Sequence, residues 1–127
     1  PAAVCILLNN QQLNDAALQR IAKEMNLSET AFITPSKTAS ESSKIVRLFL
    51  RWFTPTVEVP LCGHATLASA HALLNNYFDK ATAESIEELV FETRFSGELR
   101  VKSLGGGLLE MVRAIHVTQI LYSFFHS

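Results

Sequence analysis

The chain has 127 residues, a formal net charge of −1, 48% hydrophobic residues and 18% charged residues. These values are typical of one folded domain that buries roughly two-thirds of its surface. A near-neutral charge gives no attraction for nucleic acid, and the longest apolar run is shorter than the ~20 residues of a membrane span. Two cysteines without a framework spacing or a signal peptide are typical of a reducing cytosol. We therefore predict a cytoplasmic protein with no nucleic-acid partner and no membrane partner.

The first part of the chain predicts a strand, a helix and a second strand. Residues 2–8 form a compact apolar run that ends in two asparagines, as a buried strand does. Asn14 is a typical helix N-cap, and one face of the following segment is apolar with helical spacing. Alternation replaces this spacing over residues 26–33, which predicts the second strand.

Glu29 lies in this alternating segment, on the same side as Ala31 and Ile33. If that side faces the interior, the charged form of the carboxylate is disfavoured, and the group is suited to proton transfer near neutral pH. The alternative is that the strand starts at Ala31 and that Glu29 is a solvated loop residue. The pattern alone favours the loop.

A polar loop at residues 34–44 and another alternating segment at residues 46–53 come next. This segment predicts a strand with one purely apolar face and one face that mixes arginine with phenylalanine. The apolar face consists of Val46, Leu48, Leu50 and Trp52.

Residues 65–74 form the most apolar segment and predict a central helix. Alanine and leucine dominate, the only polar side chains are those of Thr66, Ser69 and His71, and two asparagines follow. A helix that is apolar on nearly all faces belongs in the middle of a domain. We predict a helix over residues 63–74, wrapped by strands, with His71 in a structural role.

The start of this helix is the predicted functional site. Free backbone N–H groups and the positive end of the helix dipole suit a carboxylate or phosphate, and Gly63 lets a ligand come close to that backbone. Cys62 and His64 add a thiol and an imidazole within one turn, and we expect the helix start to lower the pKa of the thiol. The alternatives are that Cys62 is a small core residue and that His64 caps or packs against the helix. No group of cysteines and histidines has the spacing of a zinc site, so we predict no metal.

The last part of the chain predicts a polar connection at residues 75–84 and then an antiparallel meander. Its three strands are predicted at residues 88–94, 99–102 and 108–111, and the turns between them at 96–97 and 105–107. The three consecutive glycines lie between strands and do not open a helix, which argues against a phosphate-binding loop. Residues 112–127 show no clear period.

Three segments of this sequence resemble the phenazine-biosynthesis PhzF-like family. They are PAAVCILL at residues 1–8, EMNLSETAFI at 24–33 and RWFTPTVEVPLCGHATLASAHAL at 51–73, and SGELRV at 96–101 fits as well. The resemblance covers residues 1–111. It implies an α+β protein, one half of a diaminopimelate-epimerase-like fold, in which a β-barrel-like sheet wraps around one central apolar helix.

The resemblance also implies a cofactor-free isomerase or epimerase that moves a proton on a small carboxylate-bearing substrate. Glu29 matches the acid/base glutamate of the family's NLSE motif, and this makes the catalytic interpretation of Glu29 the favoured one. His64 of the GH motif lies in the same cleft, and related racemases carry a catalytic cysteine at the position of Cys62. We expect the substrate to be bound by Ser28, Gly63 and Ala65.

The chain departs from the family at both ends. The family has a further strand before the first proline and a second half that completes the cleft. We therefore expect a truncated product with a PhzF-like half-domain at residues 1–111, incomplete at its start, and an unmatched tail at residues 112–127. Two functions stay open: an isomerase or half of one, and a non-catalytic binding or regulatory module. We expect the exposed half-interface to form a homodimer or to bind a protein partner.

Overall fold

The computed structural model describes residues 1–7, 13–36, 44–113 and 118–123, with the backbone alone for residues 113 and 118–123. In chain order the described elements are β1 (Ala2–Ile6), α1 (Asp15–Met25), β2 (Glu29–Pro35), β3 (Ile45–Phe53), β4 (Glu58–Val59), α2 (Gly63–Ala72), α3 (Lys80–Ser85), β5 (Glu88–Thr93), β6 (Glu98–Ser103), β7 (Leu108–Arg113) and β8 (Thr118–Ser123). Within this part of the chain, every helix is too short or too polar to cross a lipid bilayer.

The strands form one mixed sheet in the order β1-β2-β3-β5-β6-β7-β8, with β4 paired to the end of β3. β1 is parallel to β2 and β3 is parallel to β5, whereas the other neighbours are antiparallel. Parallel neighbours need a crossover connection, and α1 supplies the first while the segment that contains α2 and α3 supplies the second. The sheet curls into a half-barrel around α2, so the predicted α+β half of a diaminopimelate-epimerase-like fold is confirmed.

Helix α2 forms the centre of the core, as its composition predicted. The side chains of Ala65, Leu67 and Ala70 are at most 3% exposed and contact the inner face of the sheet. Two buried hydroxyls on the helix bond to its own backbone: Thr66 Oγ1 donates to the Cys62 carbonyl and Ser69 Oγ to the Ala65 carbonyl, both at 2.7 Å. Such bonds let small polar residues lie in an apolar core without an unsatisfied donor. Beyond Ala72 the helix widens into a π-helical turn over Leu73–Tyr77.

Both faces of β2 are buried, which a strictly alternating pattern does not predict. Ala31 and Ile33 face α2, whereas Phe32 packs with Phe53 and the apolar side of α1. The strand starts at Glu29 and not at residue 26, because Asn26 takes a left-handed conformation, with φ of 50°, that ends α1. The predicted cap at the other end of α1 is confirmed, since Asn14 Oδ1 accepts a hydrogen bond from the Ala17 amide at 2.8 Å.

A network of four charged side chains fixes α1 and β4 to the sheet. Arg51 donates to both carboxylate oxygens of Glu58, at 2.7 and 2.9 Å, and to Asp15 at 3.0 Å. Arg94 reaches the same two acids, at 3.2 Å for Asp15 and 3.1 Å for Glu58. The hydrogen bond and the charge of Arg51 lower the pKa of Asp15. The network holds the chain in place four residues before Cys62.

The predicted meander is confirmed as β5, β6 and β7, and its glycine turns use positive φ at residues 97 and 105–107. Two short elements were not predicted: β4, and α3 within the polar connection, where the Asp79 side chain accepts from the Thr82 amide at 2.7 Å. Residues 118–123, which show no clear period, form β8 against β7. Residues 37–43 of the predicted polar loop lie outside the described residues, as do 114–117 and 124–127.

Burial of α2 leads to a stability prediction. We expect Ala70→Leu to lower the free energy of unfolding by about 1–3 kcal/mol, because extra methyl groups in a packed core force shifts in their neighbours. Ala81→Leu is the control, since Ala81 is exposed on α3 and a change there costs about 0.5 kcal/mol or less. Urea unfolding of both variants is the measurement, and equal midpoints would contradict a buried central helix.

Candidate functional site

Three chemically active side chains meet at the N-terminal end of α2. Glu29 comes from the start of β2, whereas Cys62 and His64 flank the first residue of α2. One carboxylate oxygen, one imidazole nitrogen and the sulfur lie within 4.8 Å of one another. His64 Nε2 is 3.2 Å from Glu29 Oε2, and His64 Nδ1 is 3.6 Å from Cys62 Sγ. The imidazole therefore lies between the carboxylate and the thiol.

Pairing of β1 with β2 places Glu29 in this cluster. Glu29 is opposite Ala2 in the register, and alternation puts it on the same face of β2 as Ala31 and Ile33. Its side chain is only 20% exposed. The alternative in which Glu29 is a solvated loop residue is therefore wrong.

The buried carboxylate of Glu29 is incompletely satisfied. Oε2 is inaccessible to solvent, and within the described residues no hydrogen bond reaches it. His64 Nε2 is at ion-pair distance from it but without the geometry of a hydrogen bond. An unsatisfied charged acceptor costs more than the ~1–3 kcal/mol of a neutral one. A positively charged group next to Oε2 would therefore stabilise this carboxylate.

The pKa of Cys62 is raised, so the prediction of a lowered value is wrong. Burial of the half-exposed thiol is the largest cause. The backbone amides of Ala65 and His64 act in the opposite direction, while the negative charge of Glu29 raises the pKa further. Desolvation and a neighbouring carboxylate thus outweigh the start of the helix, and Cys62 is a protonated thiol at neutral pH.

The expected substrate-binding residues differ in which of their groups could contact a substrate. Ser28 is exposed directly before β2, whereas the side chain of Ala65 is fully buried, which leaves its backbone amide to contribute. The Thr66 amide makes the first helical hydrogen bond, to the Cys62 carbonyl at 3.1 Å. The amides of residues 63–65 precede that bond and are the groups that bind anions at helix starts.

Met111 is a neighbour of the site that sequence reasoning did not find. A side chain added at Gly63 would contact Met111 Cε at 3.6 Å, an ordinary packing distance. Met111 is 6% exposed and comes from β7, far away in sequence. No local signal identifies it, because its place depends on how the meander wraps around α2.

A mixed sheet that curls into a half-barrel around a buried helix is the architecture of the diaminopimelate-epimerase-like class of folds. The chain belongs to the phenazine biosynthesis-like protein family, because the PhzC-PhzF family model matches residues 1–119. The predicted resemblance is thereby confirmed.

Curated relatives and solved structures agree with this assignment. Phenazine biosynthesis-like domain-containing protein 1 of Mus musculus is 46% identical over 109 residues, which are 86% of this chain and 35% of the relative. An uncharacterized isomerase of Pseudomonas aeruginosa is 47% identical over 108 residues, which are 85% of this chain and 36% of the relative. The chain thus spans about a third of the length of the curated relatives that it matches.

Among solved structures, a phenazine biosynthesis protein of the PhzF family from Enterococcus faecalis superposes with a TM-score of 0.69 at 40% identity, over 87% of this chain and 36% of that one. A predicted epimerase from Pseudomonas aeruginosa has a TM-score of 0.52 at 22% identity, over 85% of this chain and 36% of that one. The second likeness concerns the fold alone.

The raised pKa of Cys62 leads to a prediction about its reactivity. We expect its alkylation by iodoacetamide to reach half of the maximal rate above pH 9.0, the ordinary value for a thiol, because the thiolate is the reacting form. The measurement uses Cys5→Ser, which leaves Cys62 as the single thiol. Adding Glu29→Gln removes the neighbouring negative charge and should move the profile to lower pH. A midpoint below pH 9.0 in the single variant would mean that the helix amides dominate.

Proposed function

We propose that this chain carries the acid/base side of an isomerase or epimerase that moves a proton on a small carboxylate-bearing substrate. The observation that carries the proposal is the largely buried Glu29 carboxylate, 3.2 Å from His64 at the start of α2. Membership of the chain in this family supports the proposal, as does the uncharacterized isomerase among the relatives of the chain.

In this mechanism Glu29 takes a proton from a carbon of the substrate and returns it to another position or to the other face. No net proton is consumed. His64 Nε2 lies 3.2 Å from the reacting oxygen and helps to orient it. The amides of residues 63–65 bind the substrate carboxylate, which holds the carbon near Glu29 and stabilises charge that develops in the transition state.

Cys62 is the second candidate for an acid/base. Its raised pKa suits it to donate a proton and not to accept one at neutral pH. A thiol and a carboxylate with different proton affinities at one site are a suitable acid and base pair for proton transfer in two directions. In that variant of the mechanism Glu29 removes the proton and Cys62 supplies one.

The second candidate function is a non-catalytic binding or regulatory module. Its support is the openness of the site, since the His64 side chain is 59% exposed in the described part of the chain. Two apolar side chains near β4 and the start of β6 are also exposed, Val57 at 54% and Phe95 at 61%. A second copy of the chain or a protein partner that covered them would bury apolar surface.

The acid/base role leads to a prediction that is best measured in a chimaera in which this chain replaces the matching third of the mouse relative. We expect Glu29→Gln to reduce deuterium exchange from solvent into small carboxylates by roughly 10²- to 10⁴-fold, because the base is lost while the shape is kept. Glu24→Gln is the matched control, on the exposed face of α1. Equal exchange in both variants would rule out Glu29, and loss in Cys62→Ala alone would assign the chemistry to the thiol.

For the 127-residue chain by itself we expect little exchange of substrate protons. We also expect the chain to self-associate. Proton transfer needs a water-excluding wall around the acid/base, and a misplacement of ~1 Å costs about a hundredfold. Light scattering gives the mass in solution, and the exchange assay gives the activity. A monomer that exchanges substrate protons as fast as the chimaera would contradict this expectation.

A further inference from the structure

The cluster of Glu29, Cys62 and His64 has the composition and spacing of a three-ligand metal site. Each residue offers one ligand atom, and these atoms lie within 4.8 Å of one another. From the usual Zn–N, Zn–O and Zn–S bond lengths, two ligands of a tetrahedral zinc ion lie roughly 3.3–3.8 Å apart. The distance of 3.2 Å between imidazole and carboxylate is close to this range already. The sulfur lies within 4.8 Å of the other two ligand atoms and would have to come closer for all three to bind one ion.

The ligand types favour zinc over the hard cations. Mg²⁺ and Ca²⁺ bind oxygen ligands, whereas a thiolate with an imidazole and one carboxylate is typical of Zn²⁺. Three protein ligands leave the fourth position of a tetrahedral ion open to water. The three residues come from two separate segments, one at Glu29 and one at Cys62 and His64. This is why the sequence contains no recognisable zinc spacing.

A second observation points to a cation at this place. Glu29 Oε2 is a buried carboxylate oxygen to which no hydrogen bond is made within the described residues. A positive charge at bonding distance compensates a buried anion better than any neutral neighbour. The imidazole of His64 is 59% exposed, so an ion from solvent can reach the cluster.

We propose that Glu29, Cys62 and His64 bind Zn²⁺ and that the bound ion inhibits proton transfer at this site. On binding, the Cys62 S–H bond breaks, its proton leaves to solvent, and the sulfur forms a bond to zinc. One ring nitrogen of His64 and one carboxylate oxygen of Glu29 complete the protein ligands. The lone pairs of these ligand atoms, which would accept a proton from the substrate, are then bound to zinc. The inhibitory part of this inference rests on the proposed isomerase function.

The test uses the 127-residue chain with Co²⁺ as the spectroscopic probe. A Co²⁺–thiolate bond gives a near-ultraviolet charge-transfer band, and we expect this band to appear on titration and to disappear when Zn²⁺ displaces Co²⁺. Cys62→Ser should abolish it. Glu29→Gln and His64→Gln should each weaken Zn²⁺ binding at least about tenfold, since even the loss of an outer-shell partner of a ligand costs this much. Cys5→Ser and His71→Gln are the matched controls and should behave like the parent chain.

A band that survives in Cys62→Ser, or that is lost in Cys5→Ser, would overturn the proposal. So would unchanged affinity in both Glu29→Gln and His64→Gln, since a lone thiol would then bind the ion. Blocking of the site by zinc has a separate measurement. In the Cys5→Ser variant, Zn²⁺ should protect Cys62 from alkylation by iodoacetamide. Unprotected alkylation at saturating Zn²⁺ would refute it.

An activity measurement separates this inference from the proposed function. In the chimaera with the mouse relative, Zn²⁺ should suppress solvent exchange, and a chelator should restore it. Exchange that continues at full rate with the site loaded would contradict inhibition. Absence of exchange without zinc would count against the proposed isomerase, while the Co²⁺ band and the alkylation assay would still decide the metal site.

Discussion

Burial of helix α2 is the constraint on which the rest of the structure depends. The helix is apolar on nearly every face, so one layer of sheet cannot cover it, and the sheet curls until strands from both ends of the chain contact it. Curling brings the start of β2 and the end of β7 to the same end of the helix. Glu29 and Met111 thus become neighbours of residues 62–64 through packing of the core, and the site is a consequence of the fold.

Charged side chains outside the core complete this placement. Arg51 and Arg94 hold Asp15 and Glu58 together, which ties α1 and β4 to the sheet just before the chain enters α2. Paired hydrogen bonds between a guanidinium and a carboxylate fix direction as well as distance. The hydroxyl of Ser96 adds a bond to the Pro60 carbonyl at 2.6 Å, from the turn before β6. The segment that presents Cys62 is therefore held from two sides.

Electrostatics within the site is decided by competition between burial and the helix start. The backbone amides at the start of α2 lower the pKa of the Cys62 thiol, but burial of the thiol raises this pKa and is the larger effect. Glu29 adds its own negative charge on the same side. The same crowding of potential anions that keeps the thiol protonated makes the cluster attractive to a cation such as Zn²⁺.

The sequence alone determined the secondary structure of most of the chain and the identity of the central helix. Periodicity identifies α1, the inner face of β3 and the meander, because burial of one face imposes a local pattern. The same pattern did not show that β2 is buried on both faces, that Glu29 starts the strand, or that residues 118–123 pair with β7. The motif at residues 62–64 and the resemblance of the NLSE segment pointed to Cys62, His64 and Glu29, which the structure places together at the start of α2. Their distances, the raised pKa of Cys62 and the unsatisfied oxygen of Glu29 were decided only by the tertiary structure, since they depend on neighbours far away in sequence.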